Sequence, residues 1–494
     1  MPAIFLLPHA PQQAKTGGFI EIFLPSQNSS SAAAGGSSNS PKWIPAGVMR
    51  GHWTKLARQV QFNLPVSVDP SAPVHENFVM AVPHPIIILP FALLLGAMAF
   101  APVIAPRWWA KHYAKLALGL GAIVAGIYFF ILHDPASLGH AAHEYVSFIG
   151  LVGSLFVVSG GIRIQIPGGA TPLTNVAFLF VGAVLANVFG TTGAAMLLIR
   201  PWIQFNKSRV APHHLVFFIF IIANIGGCLT PIGDPPLFLG YLQGVPFWWV
   251  AKNCWPMWSV GVGGLLAIFY ALDKIHFRRA PREKETTGDN WDISGRLNLV
   301  FLAVILGAVF VERPNFLREG LMLAAALGSY FTTKKSVHAA NDFNFHPLTE
   351  VAVLFAGIFA TMIPALAWLH AHAPALLGAQ PSPGIFYWGT GSLSAVLDNA
   401  PTYLGFLSAL FGVTGVADVS GLLGQNAGQI LAISIGAVFF GAATYIGNGP
   451  NFMVKAIAEQ NGVPMPSFMA FIVKFTVPFL LPVLIAVWLL FFRS

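Results

Sequence analysis

The chain is expected to fold as an all-α polytopic membrane protein with about eleven transmembrane helices and two re-entrant hairpins, arranged as two inverted repeats. Three observations lead there. Of 494 residues, 55% are hydrophobic and only 9% charged, and the mean hydropathy is +0.69, far more apolar surface than a soluble core needs. The eleven residues Pro172 to Gly182 (PLTNVAFLFVG) return at Pro347 to Gly357 (PLTEVAVLFAG) with eight identities. Finally, Thr230-Pro231-Ile232-Gly233-Asp234-Pro235-Pro236 is answered by Thr444-Tyr445-Ile446-Gly447-Asn448-Gly449-Pro450. Two Gly/Pro-interrupted apolar segments at matching places in two halves mark a transporter's binding site.

Residues 1–82 contain a low-complexity run from Asn28 to Ser38 and no span-length apolar segment. They read as a disordered tail, with Met49 and Met80 as alternative starts, and lack the pattern of a secretory signal. Apolar spans follow near 85–103, 115–132, 145–162, 173–189, 215–242 (broken), 255–272, 297–311, 319–332, 348–369, 427–445 and 468–492. The stretch 173–204 is too long for one span and too short for two, with its break at Gly190-Thr191-Thr192-Gly193. The stretch 385–411 has the same property, with its break at Asp398-Asn399-Ala400-Pro401. Hairpins near 190–204 and 385–411 account for both, because unwound backbone at membrane depth is tolerated only where it is buried or lines a polar cavity. The first half then covers 83–290 and the second 291–494.

The net charge of +8 would suggest nucleic acid in a soluble protein. Here Lys and Arg gather in short loops, where they set orientation, so nucleic acid is not implied. With the tail inside, about 18 of the Lys and Arg fall on or near the cytoplasmic side and about 8 outside. The densest cluster is Lys274, Arg278, Arg279, Arg282, Lys284 and Arg296, while Arg107, Lys111 and Lys115 fall outside, against the rule. Cys228 and Cys254 have no metal-ligand or CxxC spacing and read as small buried side chains. No Walker loop, HExxH or GxSxG motif supports ATP-driven transport or hydrolysis, and no enzyme activity or cofactor is expected beyond Na⁺ and protons as moving ions.

Asp234 is the first candidate, since a carboxylate between apolar flanks is costly unless it faces a cavity or a cation. An N-cap ahead of Pro235 is the structural alternative, and the two roles are compatible. Asp398 and Asn399 sit at the second hairpin tip, where half-helix ends and carbonyls could surround a small ion, although Asp-Asn-x-Pro is also good turn chemistry. Glu350 lies in the first turn of its helix, where interaction with the helix dipole competes with a functional role. Thr191, Thr192, Thr230, Thr444 and Asn448 are neutral oxygen donors suited to a partly dehydrated cation, with Asn175, Asn187, Asn224 and Asn451 in support. Any one of these alone is equally good inter-helix glue. Lys455 either pairs with Asp398 or snorkels to the surface. His133, Asp134, His140, His143 and Glu144 form a polar loop at a membrane end, read as solvated, pH-responsive or metal-binding.

Over residues 83–494 the chain resembles the ion-transporter superfamily, and within it the NhaD-type sodium:proton antiporters, with citrate transporters and arsenite pumps as relatives. The resemblance is carried by Pro347-Leu348-Thr349-Glu350-Val351, by Ser394-Ala395-Val396-Leu397-Asp398-Asn399-Ala400-Pro401, and by the Thr230 to Pro236 segment. It implies eleven spans, two hairpins on a mobile transport domain, a scaffold that forms homodimers in the inner (plasma) membrane, and lipid and small ions as partners. The Ser-Asn-Thr signatures of divalent-anion members are missing at both tips, and the first tip lacks the acidic residue of many NhaD-type members. The expected function is sodium:proton antiport, with Asp234 and Asp398 alternately holding Na⁺ and protons. Sodium-coupled uptake of citrate, a dicarboxylate or another anion is the alternative, and a receptor with a dead transport site a remoter third.

Overall fold

A computed structural model describes residues 84–165, 170–279, 292–311, 313–314, 316–416 and 418–493. The expected tail over 1–82, Arg282, Lys284 and the boundary between halves at 290 lie outside them. The described chain is almost wholly helical. Its helices are α1 (Leu89–Ile104), α2 (Pro106–Ile131), α3 (Pro135–Gly160), α4 (Pro172–Phe205), α5 (Pro212–Ile221), α6 (Pro235–Leu242), α7 (Phe247–Arg279), α8 (Asn298–Ala308) and α9 (Leu317–Thr332). They continue with α10 (Lys335–Ala340), α11 (His346–Leu377), α12 (Pro383–Ser394), α13 (Asn399–Thr414), α14 (Val419–Gln425), α15 (Ala427–Gly441), α16 (Gly449–Gln460) and α17 (Phe468–Phe491). Proline opens many of them, including α2, α3, α4, α5 and α6. In a first turn its missing N–H costs nothing and its fixed φ favours the helix.

Eight of the described helices are long and apolar enough to cross a membrane, so the chain is an all-α polytopic membrane protein. One of the eight, α4, does not cross. At Gly190 its backbone takes φ 72° and ψ 158°, a conformation open to glycine, and the chain doubles back. Asn175 Nδ2 donates to Asn206 Oδ1 at 2.8 Å, and the Phe178 and Trp202 rings lie 5.0 Å apart. In a straight helix the two asparagines would be about 46 Å apart. The expected span over 173–189 is therefore the first arm of hairpin 1, and both its feet lie on one face. In the second half α12 and α13 meet through the Phe386 and Phe406 rings, 6.4 Å apart, and form hairpin 2 as expected. The spans expected at 297–311, 319–332 and 427–445 are helices of 11, 16 and 15 residues, short for a bilayer of about 30 Å. The last is completed by α16 after a break.

This hairpin changes the topology. Two short strands, β1 (Arg163–Gln165) and β2 (Asp292–Ser294), pair antiparallel with Arg163 opposite Ser294. The segment after α3 and the segment before α8 thus share one face, whereas a crossing at 173–189 had put them on opposite faces. The same basic face carries the feet of hairpin 1 and Asn341, whose Nδ2 donates to Gly160 O at 2.8 Å. Hairpin 2 enters from the other face, at the far end of α11, where Gly412 packs on the His370 backbone. On that face Tyr241 also reaches Val309 O at 3.0 Å.

The order long helix, hairpin, broken helix, long helix occurs twice: α3, α4, α5–α6, α7 and then α11, α12–α13, α15–α16, α17. The two broken helices fall in register with the Asp234 and Asn448 pair, 214 positions apart. The eleven-residue repeat does not. Its copies are 175 positions apart, and one lies in a hairpin arm while the other opens α11. They share what any Pro-led apolar helix start shares, and they do not mark equivalent places.

Candidate functional site

The two broken helices are built alike. In the first, Thr230 Oγ1 donates to Asn187 O at the end of the first hairpin arm (2.7 Å) and accepts from Gly233 N (3.1 Å). In the second, Thr444 Oγ1 donates to Ala395 O (2.6 Å) and accepts from Gly447 N (3.2 Å). Each threonine pins its break to a hairpin. Glycine is needed at both following positions: a Cβ on Gly233 would sit 1.9 Å from Gly227 O, and one on Gly447 would sit 2.7 Å from Gly441 O. Asn187 strengthens the first junction by donating to Gly226 O (2.7 Å) and accepting from Leu229 N (2.8 Å).

Asp234 then stands at the start of α6, 1% exposed, and both carboxylate oxygens are occupied. Oδ1 accepts from Thr191 Oγ1 at 2.6 Å and from Asn448 Nδ2 at 3.0 Å, and Oδ2 accepts from Asn399 Nδ2 at 2.6 Å. Hairpin 1, hairpin 2 and the second broken helix therefore converge on one carboxylate. Its side chain makes no capping bond to α6, so the capping alternative does not describe its role here. Asn224 bridges the two halves behind the site, donating to Asn451 Oδ1 (2.7 Å) and accepting from Asn448 Nδ2 (3.2 Å). Asn451 in turn donates to Gly441 O and Thr444 O, both at 2.8 Å.

Two features suit a cation. Asn399 Oδ1 is buried beside the carboxylate with no hydrogen-bond partner, a costly state for a carbonyl-type oxygen. A cavity of about 20 Å³ lies against Asp234, Thr191, Thr192, Gly190 and Pro231, room for one water-sized particle. Asp398 is half-buried and is the neighbour in the chain of Asn399, which bonds Asp234. It caps α13, accepting from Ala400 N at 3.0 Å.

Three sequence candidates lie elsewhere. Glu350 faces Trp109 of α2 near the basic face. Lys455 pairs with Glu459 one turn on, at 2.7 Å, and not with Asp398. Asn175 lies at the foot of hairpin 1, where its Nδ2 also donates to Asp273 Oδ2 at 2.9 Å. Asp273 was not singled out, although it follows the same rule as Asp234, a carboxylate within an apolar helix. It is fully buried and ion-paired with Arg209, with His214 Nε2 at 3.0 Å and His213 Nε2 at 3.6 Å.

Residues 81–492 match the profile of a protein family described as "Putative citrate transport". The chain belongs to this family. A multi-pass membrane transporter of the citrate-transporter-like class is thereby shown. No curated protein matches the chain significantly.

Proposed function

We propose that the chain is a cation:proton antiporter of the inner (plasma) membrane, in which Na⁺ and protons compete for Asp234, with Thr191, Asn399 and Asn448 as neutral ligands and Asp398 as the second acidic group. The observation that carries this reading is the meeting of both hairpin tips and the second break on one buried carboxylate. A cation in the small cavity meets the Asp234 charge and the Thr191 hydroxyl, and the unpaired Asn399 oxygen belongs to an amide bonded to the other oxygen of the same carboxylate. Thr230, Thr444 and Asn187 hold the tips in place, and Thr192 lines the cavity as a further oxygen donor.

The half-helix ends favour a cation over a carboxylate anion. An anion site at a helix N-terminus needs free backbone N–H groups. Pro235 and Pro236 have none at α6 and Pro450 none at α16, while Ala400 N is given to Asp398 and Thr191 N to Gly233 O at 2.7 Å. The second reading, sodium-coupled citrate uptake, rests on the family description. In it Asp234 holds only the coupling ion.

The paired strands and the hairpin feet support an orientation with the basic face in the cytoplasm. Lys207, Arg209, Lys274, Arg278, Arg279, Arg296, Lys334 and Lys335 then lie inside, and Arg107, Lys111 and Lys115 join them, so the exception to the positive-inside rule disappears. The two halves, 83–290 and 291–494, are inverted repeats on a homodimeric scaffold.

Purified protein in liposomes with a preset pH gradient tests the reading. Sodium is expected to dissipate the gradient, and its apparent affinity to fall as the medium is acidified, since protons take the same carboxylate. Dissipation by citrate, with sodium alone inert, would establish the second reading instead.

A further inference from the structure

The segment with Glu144, expected as a polar loop that is solvated, pH-responsive or metal-binding, places Glu144 within α3 with its side chain 8% exposed, beside His140 at 60%. Its Oε1 accepts a very short hydrogen bond from Gln243 Nε2 and lies 3.2 Å from His140 Nε2. Gln243 is the residue that follows α6. This eight-residue helix, about 12 Å long, begins at Asp234 and ends at the Glu144 contact. One rigid rod thus joins the site to a titratable pair at the face opposite the basic loops.

We propose that Glu144 is a positioning residue, which sets α6 and with it Asp234 through Gln243, and that His140 makes this hold sensitive to pH on that face. His140 and Gln243 share a single oxygen of Glu144. Protonated imidazole brings a full charge to that oxygen, draws the carboxylate toward His140 and weakens its bond to the neutral amide, so acid loosens α6. The other charged and titratable groups around Glu144 have partners of their own. On α9, Arg318 and Glu319 are engaged with each other and with Ser147, one turn further along α3. Asp134 is held by Ser137 at the start of α3, and His143 stacks edge-on against Phe316. From Ser147 the same side of α3 continues to Leu151 and Leu155, which line the cavity at Asp234.

The proposal rests on α6 presenting the transport carboxylate and not on which ion moves. Three variants, His140→Gln, Glu144→Gln and Gln243→Leu, are assayed in liposomes, with the pH on the α2–α3 face stepped from acid to neutral at saturating substrate and a substrate titration run at each pH. Sodium exchange is followed first, and citrate uptake if that is what the wild type carries. His140→Gln is expected to flatten the acid limb of the rate profile. Glu144→Gln keeps an acceptor for Gln243 but no charge for His140, and flattens it too. Gln243→Leu removes a hydrogen bond to a charged group and is expected to weaken apparent substrate affinity about tenfold, with size-exclusion profile and melting temperature confirming that it folds. A wild-type pH profile in His140→Gln overturns the pH role. Wild-type affinity and rate in Gln243→Leu overturn the positioning role. Should Gln243→Leu fail to fold, a reducible crosslink decides: cysteines replacing Glu144 and Gln243 must stop transport when joined and release it on reduction, and transport unaffected by the crosslink overturns the proposal.

Discussion

Replacing Asp234 with Asn keeps the shape of the side chain and removes its charge. The carboxylate accepts three side-chain donors, at 2.6, 2.6 and 3.0 Å. An amide has one acceptor oxygen, so its NH₂ must face at least one of those donors. Hydrogen bonds to a charged group contribute about 1.5–3 kcal/mol and neutral ones about 0.5–1.5, while a donor left unmet costs about 1–3. The variant therefore weakens two bonds by about 1 kcal/mol each and opposes the third, a local loss of about 3–5 kcal/mol. Removing a buried charge offsets part of this, so the stability of the empty protein is a poor readout. The sodium-linked part is clean. At Na⁺ a hundredfold above Kd the wild type gains about 2.7 kcal/mol from binding, and Asp234→Asn is expected to gain none. Thermal melts in NaCl against choline chloride, at fixed ionic strength, measure the difference. The same sodium-dependent upshift in wild type and Asp234→Asn would refute the assignment of the cation to this carboxylate.

Asp398→Asn is expected to abolish exchange while the protein inserts and purifies normally; wild-type flux in liposomes would remove Asp398 from the mechanism. Cysteines replacing Thr192 and Ala400 should change their reactivity toward a small aqueous thiol reagent when Na⁺ is added, since both lie at hairpin tips, and sodium-independent labelling of both would point to static packing. Asp273→Asn leaves Arg209 buried without its counter-charge, an expected loss of about 3–5 kcal/mol, visible as a lower melting temperature with or without Na⁺. An unchanged melt would mean that the foot of hairpin 1 is anchored in some other way.

The sequence reading was strongest where chemistry is local. Glycine and proline around Asp234 and Asn448, and the polar breaks at Gly190 and Asp398, require unwound backbone, and unwound backbone within a membrane occurs in few settings. It was weakest where a decision depends on what meets what across the fold. Residues 173–189 have the length and apolarity of a span, and only the contact of Asn175 with Asn206 makes them a hairpin arm. That one element reverses the parity of every later loop. Glu350 and Lys455 are polar residues near helix ends, and nothing in their own segments tells that Trp109 and Glu459 are their partners. Asn175 belongs with Asp273 for the same reason. The eleven-residue repeat misled because identity over one helix start reports the rules of helix starts, which unrelated segments also obey.

That one break carries Asp234 where the other carries Asn448 has an electrical consequence. One carboxylate serves a site built from both halves, and it becomes neutral on accepting either one Na⁺ or one proton. A one-for-one exchange through it carries no net charge across the bilayer, and membrane voltage does no work on that cycle. Any further proton carried by Asp398 would add a charge worth about 2.3 kcal/mol per 100 mV. On the proposed reading, voltage sensitivity of the flux therefore reports how many protons move in excess of Na⁺ in each turnover.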